Sequence, residues 1–471
     1  MLNTLRDFIV SDGKIQIVTP TPTRRLITTP IRIAPGCKGI ELALGKQTLR
    51  LYPETSIIDG VDGGMKHWIV IDPHSYFSSV AGVARLERGQ KILIGRANPT
   101  LSMIFDFPKD VMRRHLVLAN QEGEIFVKPL DGESKTYISS VPENADVDWL
   151  KERRLINLKR VRRIFGGRVE LLKPDSAMTT IERVYAILAD EAYRPKDSQD
   201  RPGGLLELPE ELTPVLVGDI HAQVDNLLKI LSLEGCLDAL ERGDTYLLFL
   251  GDIVHREGEG ELEEMDSSLL TLDLLFKLKS QFPRNVFVLR GNHECFDDEV
   301  GKGGVPQAQL LWQHARAVRG KKYTRKLAKC FDMLAYVAKS RDFVACHAGP
   351  PRSKAALGDV IDVKNNPDLA RGLLWNRMRR TGHPEGYTKR DVKKFREAVG
   401  AKKGTPFIVS HTPLSRTGTV WPNAGAIPGH HIMFSANPNR LAIFVRSNCE
   451  MVPLEYPGES LLEFANSLQV D

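Results

Sequence analysis

The sequence has no CxxC pair, no long apolar run, no internal repeat and no low-complexity tract. Its six cysteines (Cys37, Cys236, Cys295, Cys330, Cys346 and Cys449) are scattered, which argues against both a disulfide framework and a zinc knuckle and fits a reducing compartment. The N-terminus lacks the basic, apolar, small-residue order of a secretory signal, and no stretch approaches the 18 or so uninterrupted apolar residues that a membrane span requires. A cytoplasmic protein without a membrane partner is therefore expected. What is present is ordinary globular material, 42% apolar and 26% charged over 471 residues, enough for two or three domains.

The net charge of +6 is unevenly placed. Residues 1–175 carry 27 Lys+Arg against 20 Asp+Glu, a balance of +7, which leaves 38 against 39, or −1, for residues 176–471. Much of the excess lies in the run from Lys151 to Arg168. Such a run can meet phosphate or an acidic partner, but a solvated face is its commoner meaning.

The first 175 residues read as β-rich, with short apolar or alternating runs at Gly39–Tyr52, His67–Ile71, Gln90–Ile94, His115–Ala119 and Glu124–Val127. This spacing predicts a small β-sandwich or barrel. A helical stretch over Ala177–Glu191 leads into the polar, Pro/Gly-rich segment Arg194–Gly204, which reads as a linker. From Leu205 onward apolar strands alternate with amphipathic helices, the α/β pattern. The expected organisation is an extension over 1–34, an all-β domain over 35–175, a helix and linker over 176–204, and an α/β domain over 205–471.

Five strand candidates in the second half end in small polar clusters: VLVGDIH, LLFLGDIVHR, VFVLRGNHE, FVACHAG and FIVSHT. Together they can bring Asp219, His221, Asp252, Asn292, His293, His347 and His411 to one edge of a central sheet, where α/β proteins place their sites. Carboxylate, amide oxygen and neutral imidazole suit a hard-to-borderline divalent cation, and more donors than one ion uses suggest two ions bridged by an Asp. Such a pair activates a shared water and holds phosphate oxygens for in-line hydrolysis. Gly218, Gly251 and Gly291 precede the proposed ligands where close backbone approach is needed. Arg256, Arg290 and Arg377 lie beside the clusters, and guanidinium forks bind phosphate.

The motifs Asp219-Ile-His221, Gly251-Asp-Ile-Val-His-Arg256, Arg290-Gly-Asn-His-Glu-Cys295, Cys346-His-Ala-Gly349 and Ser410-His-Thr-Pro413 resemble, in order and spacing, those of the phosphoprotein phosphatases. These are calcineurin-like metallophosphoesterases, a family that includes serine/threonine protein phosphatases and diadenosine tetraphosphate hydrolases. The resemblance spans residues 205–455 and implies an α/β metallophosphatase fold, a β-sandwich core flanked by helices. It implies that Asp219, His221 and Asp252 bind one metal, and that Asp252, Asn292, His347 and His411 bind a second. The pair would be manganese, or iron or zinc. His293 would be the general acid, with Arg256, Asn292 and Arg377 on the phosphate. Arg377 ends a Trp-Asn-Arg segment like that of bacterial and phage members. Three positions depart from the family pattern: Ala222 and Ala348 replace glycines, and His255 stands where the protein phosphatases place an Asp that orients the general acid.

A second resemblance, over 35–172, is to forkhead-associated domains, β-sandwiches whose loops grip phosphothreonine. It rests on Ile92-Leu-Ile-Gly-Arg96, Val111-Met-Arg-Arg-His115 and Lys135-Thr-Tyr-Ile138. It implies phosphopeptide contacts from Arg96, Arg113 or Lys135 and a bracing role for His115. Met112 stands where that family has a phosphate-binding Ser, and Ser134-Lys135 replaces its Asn-Gly. The expected substrate or partner is a phosphorylated protein; dinucleoside polyphosphates or phosphorylated nucleic-acid ends are the alternative, and a non-catalytic phosphate-binding module is a third reading.

Overall fold

A computed structural model describes residues 15–54, 57–58, 67–130, 135–142, 149–352, 354–380 and 383–469. Ser134 of the Ser134-Lys135 pair lies outside the described residues. The chain falls into two units: Met1–Asn157 with Ser232–Asp238 and Ser447–Val452, and Leu158–Leu231 with Ala239–Arg446 and Pro453–Asp471.

The first unit holds two sheets. One is five-stranded, in the order β1 (Gln16–Val18), β3 (Ile31–Ile33), β10 (Glu124–Pro129), β9 (Leu116–Gln121), β8 (Lys91–Ile94). The other is six-stranded: β2 (Arg25–Ile27), β11 (Thr136–Ser140), β4 (Ile40–Leu44), β5 (Gln47–Pro53), β6 (Trp68–Ile71), β7 (Val83–Leu86). Apolar side chains from both, Ile33, Leu118 and Ile125 with Leu42, Leu51 and Val70, form one buried core, so the sheets are a sandwich.

Two expectations need correction here. The supposed extension over 1–34 already supplies β1, β2 and β3, with Val18, Ile27, Ile31 and Ile33 buried; strands of three residues are too short to show alternation. The unit is also not purely β. Pro73–Ser79 and Pro99–Phe105 are helices, each opened by a proline and capped from the preceding residue.

The basic run is helical over Trp149–Phe165. It is not a solvated face: Arg154 and Arg162 are buried, Arg153 pairs with Asp238 at 3.3 Å and Arg160 with Glu241 at 2.9 Å.

In the second unit, β13 (Thr213–Val217), β14 (Thr245–Phe249) and β15 (Val286–Val288) run parallel in a five-stranded sheet completed by β21 (Arg440–Ser447) and β22 (Glu450–Pro457). A six-stranded sheet has the order β12 (Leu205–Glu207), β16 (Val337–Lys339), β17 (Val344–Cys346), β18 (Phe407–Val409), β20 (His430–Met433), β19 (Val420–Trp421). In it β17, β18 and β20 are parallel.

The expected linker is ordered. The helix Pro174–Ala189 packs against Asp266–Gln281 and Gln307–Met333. Beyond it, buried Arg194 donates to Glu191 at 2.8 Å and to the Gly203 carbonyl at 2.6 Å, while Lys279 approaches Glu191 from the other side. Polar composition is a poor guide where charges are buried in pairs.

Candidate metal centre

The five polar clusters follow the C-terminal ends of β13, β14, β15, β17 and β18, the end at which open α/β sheets bind ligands. The backbone there is forced into the left-handed region at His221, Ala222, Asp252, His255 and His411, with φ of 44°, 56°, 49°, 71° and 63°. Each such non-glycine residue costs about 1–3 kcal/mol, and such strain gathers at functional sites. The turns after β14 and β15 touch backbone to backbone. A Cβ on Gly291 would sit 2.2 Å from Asp252 Oδ1, and one on Gly251 2.5 Å from the Gly291 nitrogen. Only glycine fits at either position.

Buried Glu294 ties these turns together by accepting from the backbone N–H of Asp252 and Ile253, each at 2.8 Å, and of Gly291 at 2.9 Å. Ser410 and Ser435 do the same across the sheets: Ser410 Oγ accepts from Asp219 N at 2.9 Å, and Ser435 Oγ from Gly218 N at 3.0 Å. Asp219 Oδ2 accepts from His411 N at 3.0 Å and Asp252 Oδ1 from His293 N at 3.0 Å, so each carboxylate keeps its remaining oxygen for the centre.

The imidazoles are pinned from behind in the same way. A carbonyl can only accept, so His347 Nδ1 donates to Leu250 at 3.0 Å and His221 Nδ1 to Val254 at 3.3 Å and His255 at 3.2 Å. In the neutral rings Nε2 then bears the lone pair. His347 Nε2 faces Asn292 Oδ1 at 3.0 Å, His411 Nδ1 at 3.2 Å and Asp252 Oδ2 at 3.3 Å. His221 Nε2 lies 3.8 Å from Asp252 Oδ2 and 3.9 Å from Asp219 Oδ2. Asp219 Oδ1 and His411 Nε2 are buried without a hydrogen-bond partner. Electron-rich atoms packed this closely require positive charge among them.

The titration of the residues carries the same message. Burial pushes the Asp219 carboxyl up to about 7, the Asp252 charge adding to it against His347 and His221. Asp252 is as deeply buried, yet His347, His293 and His221 hold it well below the ordinary carboxylate range. Burial also works against a charged His347, but Asp252 and Asp219 push it up to about 9. Without a cation the centre keeps a proton on His347; a divalent ion would take that proton's place. The donors Asp219–His221–Asp252 and Asp252–His347–His411 form two clusters, each with ligand atoms within 4.8 Å of one another and with Asp252 in common. The residues thus fit two cations sharing a carboxylate.

The seven side chains proposed for the centre are brought together. The arginines are placed less uniformly. Arg377 is exposed, and its charge bears on His411. Arg256 donates to Glu261 at 2.7 Å, and Arg290 turns away to Tyr336 and Asp332, both at 3.2 Å. Glu257, which nothing in its spacing marks, puts Oε1 3.7 Å from His221 Nε2. In the first unit the backbones of Arg96 and Arg113 run together, with Ala97 N donating to Arg113 O at 2.7 Å. Arg96 Nε donates to Val111 O at 2.7 Å. Buried His115 accepts from Met112 N at 3.1 Å. Lys135 is exposed at the start of β11, in the other sheet. All six cysteines are free, and no helix among the described residues is long and apolar enough to cross a membrane.

The chain is 42% identical over 83 residues to the serine/threonine-protein phosphatase PP1-delta of Caenorhabditis elegans, an alignment covering 17% of this chain and 23% of that protein. The chain thus spans under a quarter of that relative. Among solved structures it is similar to a Saccharomyces cerevisiae protein serine/threonine phosphatase described as similar to human PP5. That likeness has 16% identity, 61% of this chain, 91% of that one and a TM-score of 0.46. A diadenosine tetraphosphatase described as putative matches at 14% identity over 55% of this chain and 99% of its own, with a TM-score of 0.32. The calcineurin-like phosphoesterase family model matches residues 212–440, and this stretch of the chain is a calcineurin-like phosphoesterase domain.

Proposed function

We propose that this chain is a metal-dependent phosphomonoesterase that removes phosphate from serine or threonine in proteins. The observation that carries the reading is the convergence of Asn292 Oδ1, His411 Nδ1 and Asp252 Oδ2 on His347 Nε2, at 3.0, 3.2 and 3.3 Å, beside Asp219 Oδ1, which is buried without a hydrogen-bond partner. Asp219, His221 and Asp252 hold one divalent cation in this reading, and Asp252, Asn292, His347 and His411 a second. Manganese suits donors that are mostly oxygen and imidazole. Bound there, the pair lowers the pKa of a water and neutralises phosphate charge. Arg256 and Arg377 orient the phosphate oxygens, Arg256 after leaving Glu261. His293 gives its Nε2 proton to the departing serine or threonine oxygen. Its Nδ1 is held by His255 at 2.8 Å.

In the first unit, Arg96, Arg113 and Lys135 are exposed and in this reading recruit a phosphothreonine-bearing substrate. The test is manganese-stimulated phosphate release by the full chain from phosphopeptides, with diadenosine tetraphosphate and 3′-phosphorylated oligonucleotides in parallel. Turnover of phosphopeptides that is abolished by Asp252→Asn and by His411→Ala is expected. Preference for the nucleotides would move the substrate class, and metal-independent turnover would remove the mechanism. Unchanged phosphopeptide KM in Arg96→Ala would remove the recruiting role.

A further inference from the structure

Beside the Asp219–His221–Asp252 position, a different set of donors closes on the same histidine. Glu257, His221 and His293 offer ligand atoms that all lie within 4.8 Å of one another. Each is oriented from behind. Lys302 Nζ holds Glu257 Oε2 at 2.9 Å and leaves Oε1 facing His221. The Nδ1 atoms of His221 and His293 are engaged by the Val254 and His255 carbonyls and by the His255 ring, so Nε2 is the inward nitrogen of both rings. Bonds of this kind, which fix one atom of a ligand and aim the other, are what build a metal site. His221 and His293 are buried, and the Glu257 side chain is 26% exposed, which leaves an approach from solvent.

The chemistry of the two positions differs. Asp219, His221 and Asp252 offer two carboxylates and one imidazole. His221, Glu257 and His293 offer two imidazoles and one carboxylate, the His₂Glu set that zinc takes in tetrahedral sites with an open position. We propose that His221, Glu257 and His293 form an alternative, zinc-selective cation position that competes with the productive one. His221 has a single lone pair, so the two positions exclude each other. A cation in the alternative position also occupies the His293 nitrogen that must carry the transferred proton. Zinc at this position is therefore inhibitory, and Glu257 is the residue that makes it so.

This inference rests on the proposed roles of His221 as a ligand and His293 as the general acid, and its test separates the two. Zinc and manganese dissociation constants would be measured on the full chain by competition with a chromophoric chelator, in the wild type and in Glu257→Gln, with Glu257→Asp as the conservative variant. Zinc should bind at least about tenfold more weakly to Glu257→Gln, with Asp restoring part of the loss and manganese affinity the same in all three. In the manganese-loaded enzyme, zinc inhibition should shift to higher zinc by the same factor. Equal zinc affinity in the wild type and Glu257→Gln overturns the proposal. So does a parallel loss of manganese binding, since Glu257 would then belong to the productive position. A wild type that binds zinc but no manganese removes the two-cation reading instead, and leaves the zinc comparison to decide this one.

Discussion

His255 and His293 meet nitrogen to nitrogen, Nδ1 to Nδ1, at 2.8 Å, where an ion pair would need a carboxylate. Both are neutral near pH 7: burial lowers His255 well below the usual imidazole range, with His293 and His221 adding to it, and burial lowers His293 to about 4. A hydrogen bond in which His255 donates leaves the proton of neutral His293 on Nε2, toward the site. His293→Ala should then cut kcat by about 10²–10⁴ on phosphoserine peptides, and by much less on p-nitrophenyl phosphate, whose leaving group needs little protonation. Bound manganese, measured alongside, should be unchanged.

His255→Asp replaces a neutral partner by a negative one and should raise the pKa of His293. The wild-type acid is the Nε2–H of a neutral ring, which does not titrate near neutral pH, whereas an imidazolium paired with the new carboxylate loses its proton as pH rises through the raised pKa. A high-pH limb set by His293 should therefore appear in the kcat profile of this variant and be absent from that of the wild type. Identical profiles in the two would show that His293 does not control the pH dependence.

Gly291→Ala should destabilise the domain by about 1–3 kcal/mol, as overpacking does, because the new methyl would lie 2.2 Å from Asp252 Oδ1 and 2.4 Å from Asp252 N. It should also weaken metal binding. Gly358→Ala, where a Cβ meets nothing within 4 Å, is the control and should stay within about 0.5 kcal/mol. Chemical denaturation of the two variants beside the wild type checks both values.

The contrast between Asp252 and Glu257 explains how much of the site the sequence could carry. Asp252 ends an apolar strand after a glycine, and four other clusters share that form, so periodicity and residue chemistry were enough to group the seven side chains. Glu257 sits in the acidic stretch Glu257–Glu264, where charge alone reads as a solvated loop. Only the fold brings it to His221. Glu294 was legible as part of a motif, but its three backbone hydrogen bonds depend on how the turns after β14 and β15 meet. The segment around Arg194 reads as a linker because Met333, whose carbonyl Arg194 reaches, and Lys279, which pairs with Glu191, come from elsewhere in the chain. Likewise, β1 to β3 are too short to carry a period and are specified by the sheets they join.

Away from the metal centre, His430 provides a pH test of folding. Both of its nitrogens are used in the neutral form: Nδ1 lies 3.2 Å from Phe407 O and Nε2 3.0 Å from Tyr387 Oη. Burial lowers its pKa to about 4, below that of the unfolded chain. Between these two values the unfolded state binds the extra proton, so stability rises with pH across the window. Stability should fall as pH drops from about 6.5 toward 4, by on the order of 1–3 kcal/mol from this residue. In His430→Gln that part of the slope should disappear from urea titrations run across the window.

Everything proposed about catalysis requires that Asp252 be shared by two divalent ions, so metal stoichiometry is the most direct measurement. The full chain, dialysed against manganese and then freed of unbound ion, should retain two equivalents per chain by elemental analysis. Asp252→Asn should retain less than one while remaining folded by circular dichroism, because two cations so close need the anion between them. Retention of no metal by the wild type, or of two equivalents by Asp252→Asn, would contradict the account.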